Sequence, residues 1–168
     1  MRGFNVVEFI VVLAIAALFI TLGVPGYYSL IKNNKVVSVT NKLSATFNYA
    51  RMEAVKRGSR VSVCSAGNSS YTSCGSSNQW PQGWIIFTDA NNNNDIDSSN
   101  DLVKTNEALP NGTAITSNQS VVSYDGTGFI TTNALTMSLS ASGCTGTNAR
   151  TISISTSGRV SIAPAQFN

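Results

Sequence analysis

The most reactive side chains in this 168-residue sequence are three cysteines, Cys64, Cys74 and Cys144, and the sequence contains no histidine. A cysteine nucleophile needs a base, most often histidine, so we predict no enzymatic activity and no cofactor. The spacing of the three cysteines does not fit a zinc finger. Because Cys64 and Cys74 flank a loop rich in Gly, Ser and Asn, a disulfide between them is our first choice, and pairings with Cys144 stay open.

A second group of candidate ligands lies in residues 89–97, where Asp or Asn occupies every second position. Calcium loops place oxygen ligands at such alternating positions. However, Asn94 stands where a calcium loop has Gly, and Asn100 stands where it has a bidentate Glu. We therefore predict a solvated loop and no metal site. If an ion were bound, its ligands would be Asp89, Asp95 and Asp97.

A carboxylate also lies in the apolar N-terminal segment, at Glu8. As a helix, residues 4–24 are about 31 Å long, which matches the apolar thickness of a bilayer. An acid inside such a helix is costly, so we interpret Glu8 as a functional residue. The Ala-Ile-Ala sequence at residues 14–16 also fits a secretory cleavage site, but the apolar run continues beyond it.

The motif Gly3-Phe4-x-x-x-Glu8 before an apolar helix resembles the class III signal of type IV pilins and type II secretion pseudopilins. The resemblance implies a leader of residues 1–3, cleaved between Gly3 and Phe4 by a prepilin peptidase that also N-methylates Phe4. It implies that residues 4–25 first cross the bacterial inner membrane and then enter a filament core. Glu8 and Pro25 are the expected assembly residues. Pro25 also predicts a kink in the helix.

Residues 26–58 continue as an amphipathic helix. Apolar residues recur at helical spacing and predict one buried face: Val36, Val39, Leu43, Phe47, Ala50 and Ala54. We expect the cations of the opposite face to lie in water. Gly58, which follows Lys56 and Arg57, predicts the end of the helix.

Residues 59–168 change to short β-branched segments separated by Gly, Asn and Ser turns, which predicts a β-rich globular domain. The predicted strands are 60–64, 84–88, 102–105, 121–124, 135–139, 151–154 and 159–162. Residues 155–158 predict a hairpin between the last two. The fold class is therefore α+β: a long N-terminal helix whose second half, around Leu43 and Phe47, packs on a small antiparallel β-sandwich or curled sheet.

The segments 49–58 and 80–89, with Tyr-Asp-Gly-Thr-Gly at 124–128 and Ser-Gly-Arg at 157–159, resemble the GspH/FimT/FimU group of minor pilins and pseudopilins. The resemblance implies a structural subunit, present in few copies, that primes the pilus or sits at its tip. The implied partners are other major and minor pilins. The implied location is the inner membrane, by a single pass with a periplasmic C-terminal domain, and then the filament. A type II secretion pseudopilin is the alternative.

A DNA-binding minor pilin of natural transformation is a further alternative, because the FimT branch binds DNA through basic residues near its C-terminus. Residues 61–168 carry three cations against six acids. Non-specific DNA affinity rises with the number of phosphates neutralised, so we predict weak binding. The candidate contacts are Lys104, Arg150 and Arg159.

Overall fold

A single long helix dominates the N-terminal third of the chain. The computed structural model describes residues 5–141 and 149–165, except for the side chains of residues 22–26 and 29. Helix α1 spans Val6–Arg57, 52 residues and about 78 Å. The Asn5 side chain accepts a hydrogen bond from the Val7 N–H at 3.3 Å. Gly58 ends the helix with a φ of 61°, which confirms the predicted stop.

The two halves of α1 have opposite environments. The large apolar side chains described between Val6 and Ile31 are exposed, including Phe19 at 74%. In the second half, all six residues of the predicted apolar stripe are buried. The helix is continuous through Pro25, whose side chain lies outside the description, so the predicted kink stays a prediction. Across the described residues, no helix combines the length and apolarity needed to cross a bilayer.

The rest of the described chain forms two four-stranded antiparallel sheets. The strands are β1 Val61–Ser65, β2 Trp84–Thr88, β3 Leu102–Asn106, β4 Thr113–Ser117, β5 Val121–Tyr124, β6 Leu135–Ala141, β7 Ala149–Ile154 and β8 Val160–Ala165. The first sheet has the order β3-β2-β1-β5 and the second the order β4-β6-β7-β8. One-turn 3-10 helices span Trp80–Gln82 and Ser99–Asp101. The α+β fold class is therefore confirmed.

The seven predicted strands are present with small shifts of their ends, and β4 is an additional strand that the sequence did not predict. In β4 the apolar Ile115 alone is buried, between residues that are exposed or half-buried. A single buried side chain gives too little alternation to mark a strand. The strand forms because β6 pairs with it, from Thr113 opposite Ala141 to Ser117 opposite Met137.

One core joins the helix to both sheets. The stripe of α1 packs against inward-facing residues of the first sheet, such as Val63 and Trp84, and of the second, such as Leu139 and Ile152. Phe47 lies near the centre, with its ring centroid 6.0 Å from that of Trp80. Burying this helical face is what holds α1 on the domain, because the apolar contact removes surface from water.

The first sheet is covered on its outer face as well. Cys64, Ile85 and Phe87 point away from α1 and form a second buried cluster, against which Tyr71 and Ile96 pack from the two long loops. All five residues of β1 are consequently buried. The β7–β8 hairpin is confirmed: Ser155 accepts a hydrogen bond from the N–H of Gly158 at 2.8 Å.

Candidate functional site

The first candidate site is the exposed apolar half of α1. Glu8 lies on it and is exposed, as are Val7 and Phe9 on either side. Gly3 and Phe4, the predicted processing residues, lie outside the described residues, as does the leader 1–3. The other half of the same helix is packed on a folded domain. An exposed apolar helical surface of this kind is suited to packing against other apolar helices.

Part of the cationic face of the second half contacts the β domain, which corrects the prediction in part: Lys42 and Lys56 are exposed as expected, but Arg51 is half-buried. The Arg51 Nε donates a hydrogen bond to the Gly128 carbonyl at 2.9 Å. The Lys42 Nζ lies 5.1 Å from the ring centroid of Trp84. Lys35 donates to the backbone carbonyl of Asn111. These cations bind the helix to the β domain, because a charged donor strengthens a hydrogen bond and a cation is attracted to an aromatic face.

The loop that receives Arg51 is shaped by Asp125. Its carboxylate accepts hydrogen bonds from the Thr127 hydroxyl at 2.6 Å and the Thr127 N–H at 2.9 Å. The bond from the Thr127 hydroxyl is the main reason that the pKa of Asp125 is lowered. Next to this loop, burial raises the pKa of Tyr124, and the nearby Arg51 charge opposes that shift.

Asp89 is committed to a structural role. Its side chain is fully buried, and its Oδ2 lies 3.1 Å from the Arg60 Nε. Its two oxygens accept hydrogen bonds from the N–H groups of Asn93 and Asn94 at 3.0 and 3.2 Å. Ser62 donates to the same carboxylate at 3.2 Å. Asp89 therefore closes the loop onto the first sheet.

Arg60 is a structural residue that the sequence analysis missed, although a signal was present. Arg60 precedes β1 and Asp89 follows β2. These strands are antiparallel, with Val61 opposite Thr88, so the two charged residues must lie opposite each other. An adjacent pair of predicted strands bounded by opposite charges predicts such an ion pair.

The other weak metal candidates do not join Asp89. Asp97 accepts hydrogen bonds from the side-chain amides of Asn91 and Asn93 at 2.8 and 2.9 Å. Asp95 accepts from the Ile96 N–H at 2.9 Å. In the described residues, no three His, Cys, Asp or Glu side chains come together as a metal site. These contacts instead stabilise the loop.

A disulfide joins Cys64 to Cys74, which confirms the first choice. It ties β1 to the long loop that covers the outer face of the first sheet. Cys144, the alternative partner, lies outside the described residues. Disulfides persist in oxidising compartments, so this bond fits an extracytoplasmic domain.

The three candidate DNA contacts are dispersed. Lys104 lies on β3 of the first sheet, while Arg150 and Arg159 belong to the β7–β8 hairpin of the second. Arg150 is paired with Pro164, at the end of the hairpin away from the turn that Arg159 follows, and five residues of strand separate the two arginines by about 16 Å. The Arg150 Nη1 also donates to the Ala149 carbonyl at 2.9 Å. The fold does not gather these cations into one patch.

The comparison that decides the family covers most of the chain. The family model described as "Type II transport protein GspH" matches residues 39–158, from the buried half of α1 to the β7–β8 turn. This chain belongs to the GspH family. The predicted membership of the GspH/FimT/FimU group of minor pilins and pseudopilins is thereby confirmed, and the chain is a pilin-type subunit.

Solved structures show the same fold. One crystal structure of the type IV minor pilin FimU from Pseudomonas aeruginosa PAO1 has a TM-score of 0.60 at 20% identity, covering 78% of this chain and 90% of FimU. A second crystal form gives 0.56 at 21% identity, covering 76% and 91%. No curated protein matches this GspH-family chain by sequence.

Proposed function

We propose that this GspH-family chain is a non-enzymatic minor type IV pilin that primes the pilus or sits at its tip. It enters the inner membrane through residues 4–25, with the β domain in the periplasm. A prepilin peptidase cleaves it between Gly3 and Phe4 and methylates Phe4. The mature chain then joins major and minor pilins in the filament.

One observation carries this proposal: α1 is buried in its own domain at one end and exposed and apolar at the other. Soluble monomers rarely expose so large an apolar surface, so we infer that lipid or other apolar helices cover it. The same helix therefore supplies both an anchor and an assembly surface. The Cys64–Cys74 disulfide supports the extracytoplasmic location of the domain.

Glu8 gives the assembly surface its register. After cleavage, Phe4 has a charged methylated amine four residues before Glu8 in the sequence, and the Glu8 of one subunit can pair with the amine of its neighbour. In an apolar core an unpaired charge is strongly destabilising. A subunit that slips along its neighbour therefore loses the Glu8–amine ion pair as well as apolar contact.

The test compares Glu8→Gln with Glu107→Gln, which removes the same charge from an exposed position on the domain. We expect Glu8→Gln to be cleaved and retained in membranes but depleted from sheared filaments, while Glu107→Gln behaves as wild type. Immunoblots of membrane and filament fractions measure both steps. Incorporation of Glu8→Gln at the wild-type level would show that Glu8 has no register role.

A type II secretion pseudopilin is the second candidate, and the description of the matching family favours it. The two assignments predict different defects in a strain that lacks this chain. Deletion of a minor pilin should remove surface pili and leave protein secretion intact, whereas deletion of a pseudopilin should have the reverse effect. Electron microscopy of cells and assay of secreted proteins in the same deletion strain separate them.

A further inference from the structure

A groove runs between the outer side of α1 and the edge strand β3. Its volume is about 440 Å³, and its lining residues are Lys42, Ala45, Thr46, Tyr49, Met52, Ile86, Lys104 and Asn106. The charged residues among them are both cations. Most of the others are apolar or aromatic, apart from Thr46 and Asn106, so the groove combines positive charge with a largely apolar floor.

Both lysines are held in place by aromatic rings. Besides Lys42 over Trp84, the Lys104 Nζ lies 5.4 Å from the ring centroid of Tyr49. Trp84 is itself fixed, because its Nε1 donates a hydrogen bond to the Thr46 hydroxyl at 3.0 Å. Two ammonium groups restrained in this way lose little conformational freedom when they bind an anion, which favours binding.

The groove also offers unused hydrogen-bonding groups. The Asn106 Nδ2 is buried there and has no acceptor among the described residues. Strand β3 pairs with β2, and in the described part of the chain no strand lies on its other side. Such an edge presents backbone N–H and C=O groups to an incoming extended segment.

An adjoining depression of about 570 Å³ extends the groove along the helix and shares Met52 with it. Met52 and Val55 are 63% and 52% exposed, although both are apolar. The charged residues that line this depression, Arg51 and Lys56, are again cations. The whole surface is therefore apolar with a cationic border.

We propose that this groove docks an extended acidic segment of another filament subunit, added as a strand to the free edge of β3. Its carboxylates lie near Lys42 and Lys104, and its apolar side chains contact the exposed Met52. Charge complementarity identifies the occupant, since every charged lining residue is cationic. Duplex DNA fits less well, because the groove has few cations and an apolar floor. This inference rests on the proposed role as a filament subunit.

The binding test uses the detergent-solubilised full chain and a fluorescent octapeptide that alternates Glu with Val. Controls are the same peptide with Lys in place of Glu, and duplex DNA. We expect the acidic peptide to bind, and Lys42→Glu with Lys104→Glu to weaken it about tenfold, as expected for two surface ion pairs. Arg159→Glu, which reverses an exposed charge outside the groove, should not weaken it. Circular dichroism checks that each variant is folded.

Equal binding of the acidic and basic peptides, or no effect of the lysine reversals, would overturn the proposal. DNA binding that depends on the same two lysines and exceeds that of the acidic peptide would overturn it in favour of a nucleic-acid site. Measuring how much of each variant enters filaments distinguishes failure of the groove proposal from failure of the proposed role as a filament subunit. If the lysine variant enters filaments as wild type does while Glu8→Gln does not, the groove proposal fails alone. Absence of the wild-type chain from filaments would refute the filament role itself.

Discussion

The Nε of Arg51 and the carbonyl of Gly128 form a hydrogen bond of 2.9 Å between the long helix and a loop 77 residues later. A second turn closes over this bond. A Cβ placed on Gly158 would lie 2.2 Å from the Gly128 oxygen and 3.2 Å from the Arg51 Nε. The turns at 125–128 and 155–158 therefore meet on α1, which couples both sheets to the long helix.

This close approach predicts a large effect of Gly158→Ala. Gly158 has a φ of 75°, which makes any side chain unfavourable there. The added Cβ would also meet the Gly128 backbone, which cannot move aside easily. Gly58→Ala is the matched control, since its φ is 61° but no atom lies within 4 Å of the added carbon. We expect Gly58→Ala to cost about 1 kcal/mol from strain, and Gly158→Ala clearly more. Urea denaturation measures both, and equal losses would refute the close packing.

Asp89→Ala should strongly destabilise the domain. The substitution leaves the Arg60 charge inside the protein without its partner, and removing one member of a buried ion pair costs about 3–5 kcal/mol. Asp95→Ala, in the same loop but exposed, should cost under about 1 kcal/mol. The measurement is the free energy of unfolding in urea. A similar small loss for both would mean that the loop is not fastened through Asp89.

Loss of the disulfide should lower stability moderately. Cys64 and Cys74 are separated by 10 residues, and closing so short a loop is worth about 2–3 kcal/mol in the chain-entropy model. The double variant Cys64→Ala, Cys74→Ala should lose that amount, whereas Cys144→Ala should lose much less. Thiol titration of the unfolded, unreduced wild type should find one free thiol per chain, and Cys144→Ala should have none. A free thiol in Cys144→Ala would contradict the pairing.

DNA binding should be weak. Lys104, Arg150 and Arg159 are dispersed over two sheets, so few phosphates can be neutralised together, and the affinity should remain in the range of about 10⁻⁴–10⁻⁶ M typical of non-specific contacts. Fluorescence anisotropy with duplex DNA at two salt concentrations measures the affinity and its salt slope. Submicromolar binding at physiological salt that Arg159→Ala abolishes would instead favour a DNA-uptake function.

Local patterns allowed much of this fold to be predicted. The helical spacing from Val36 to Ala54 identified the buried face, and Gly58 identified its end, because both signals depend on neighbouring residues. The hairpin at 155–158 is local in the same sense. Contacts between distant segments were not predictable in this way. The pairing of β4 with β6, and the contacts of Arg51 and Lys42 with the β domain, depend on how the two sheets are placed around the helix.

The central claim, that this chain is processed and assembled as a pilin, is tested most directly by the N-terminus of the filament-associated protein. Intact-mass measurement and N-terminal sequencing of sheared filaments should find a chain that begins at N-methylated Phe4. A chain that begins at Met1, or after Ala16, would contradict the class III signal and with it the proposed route of assembly.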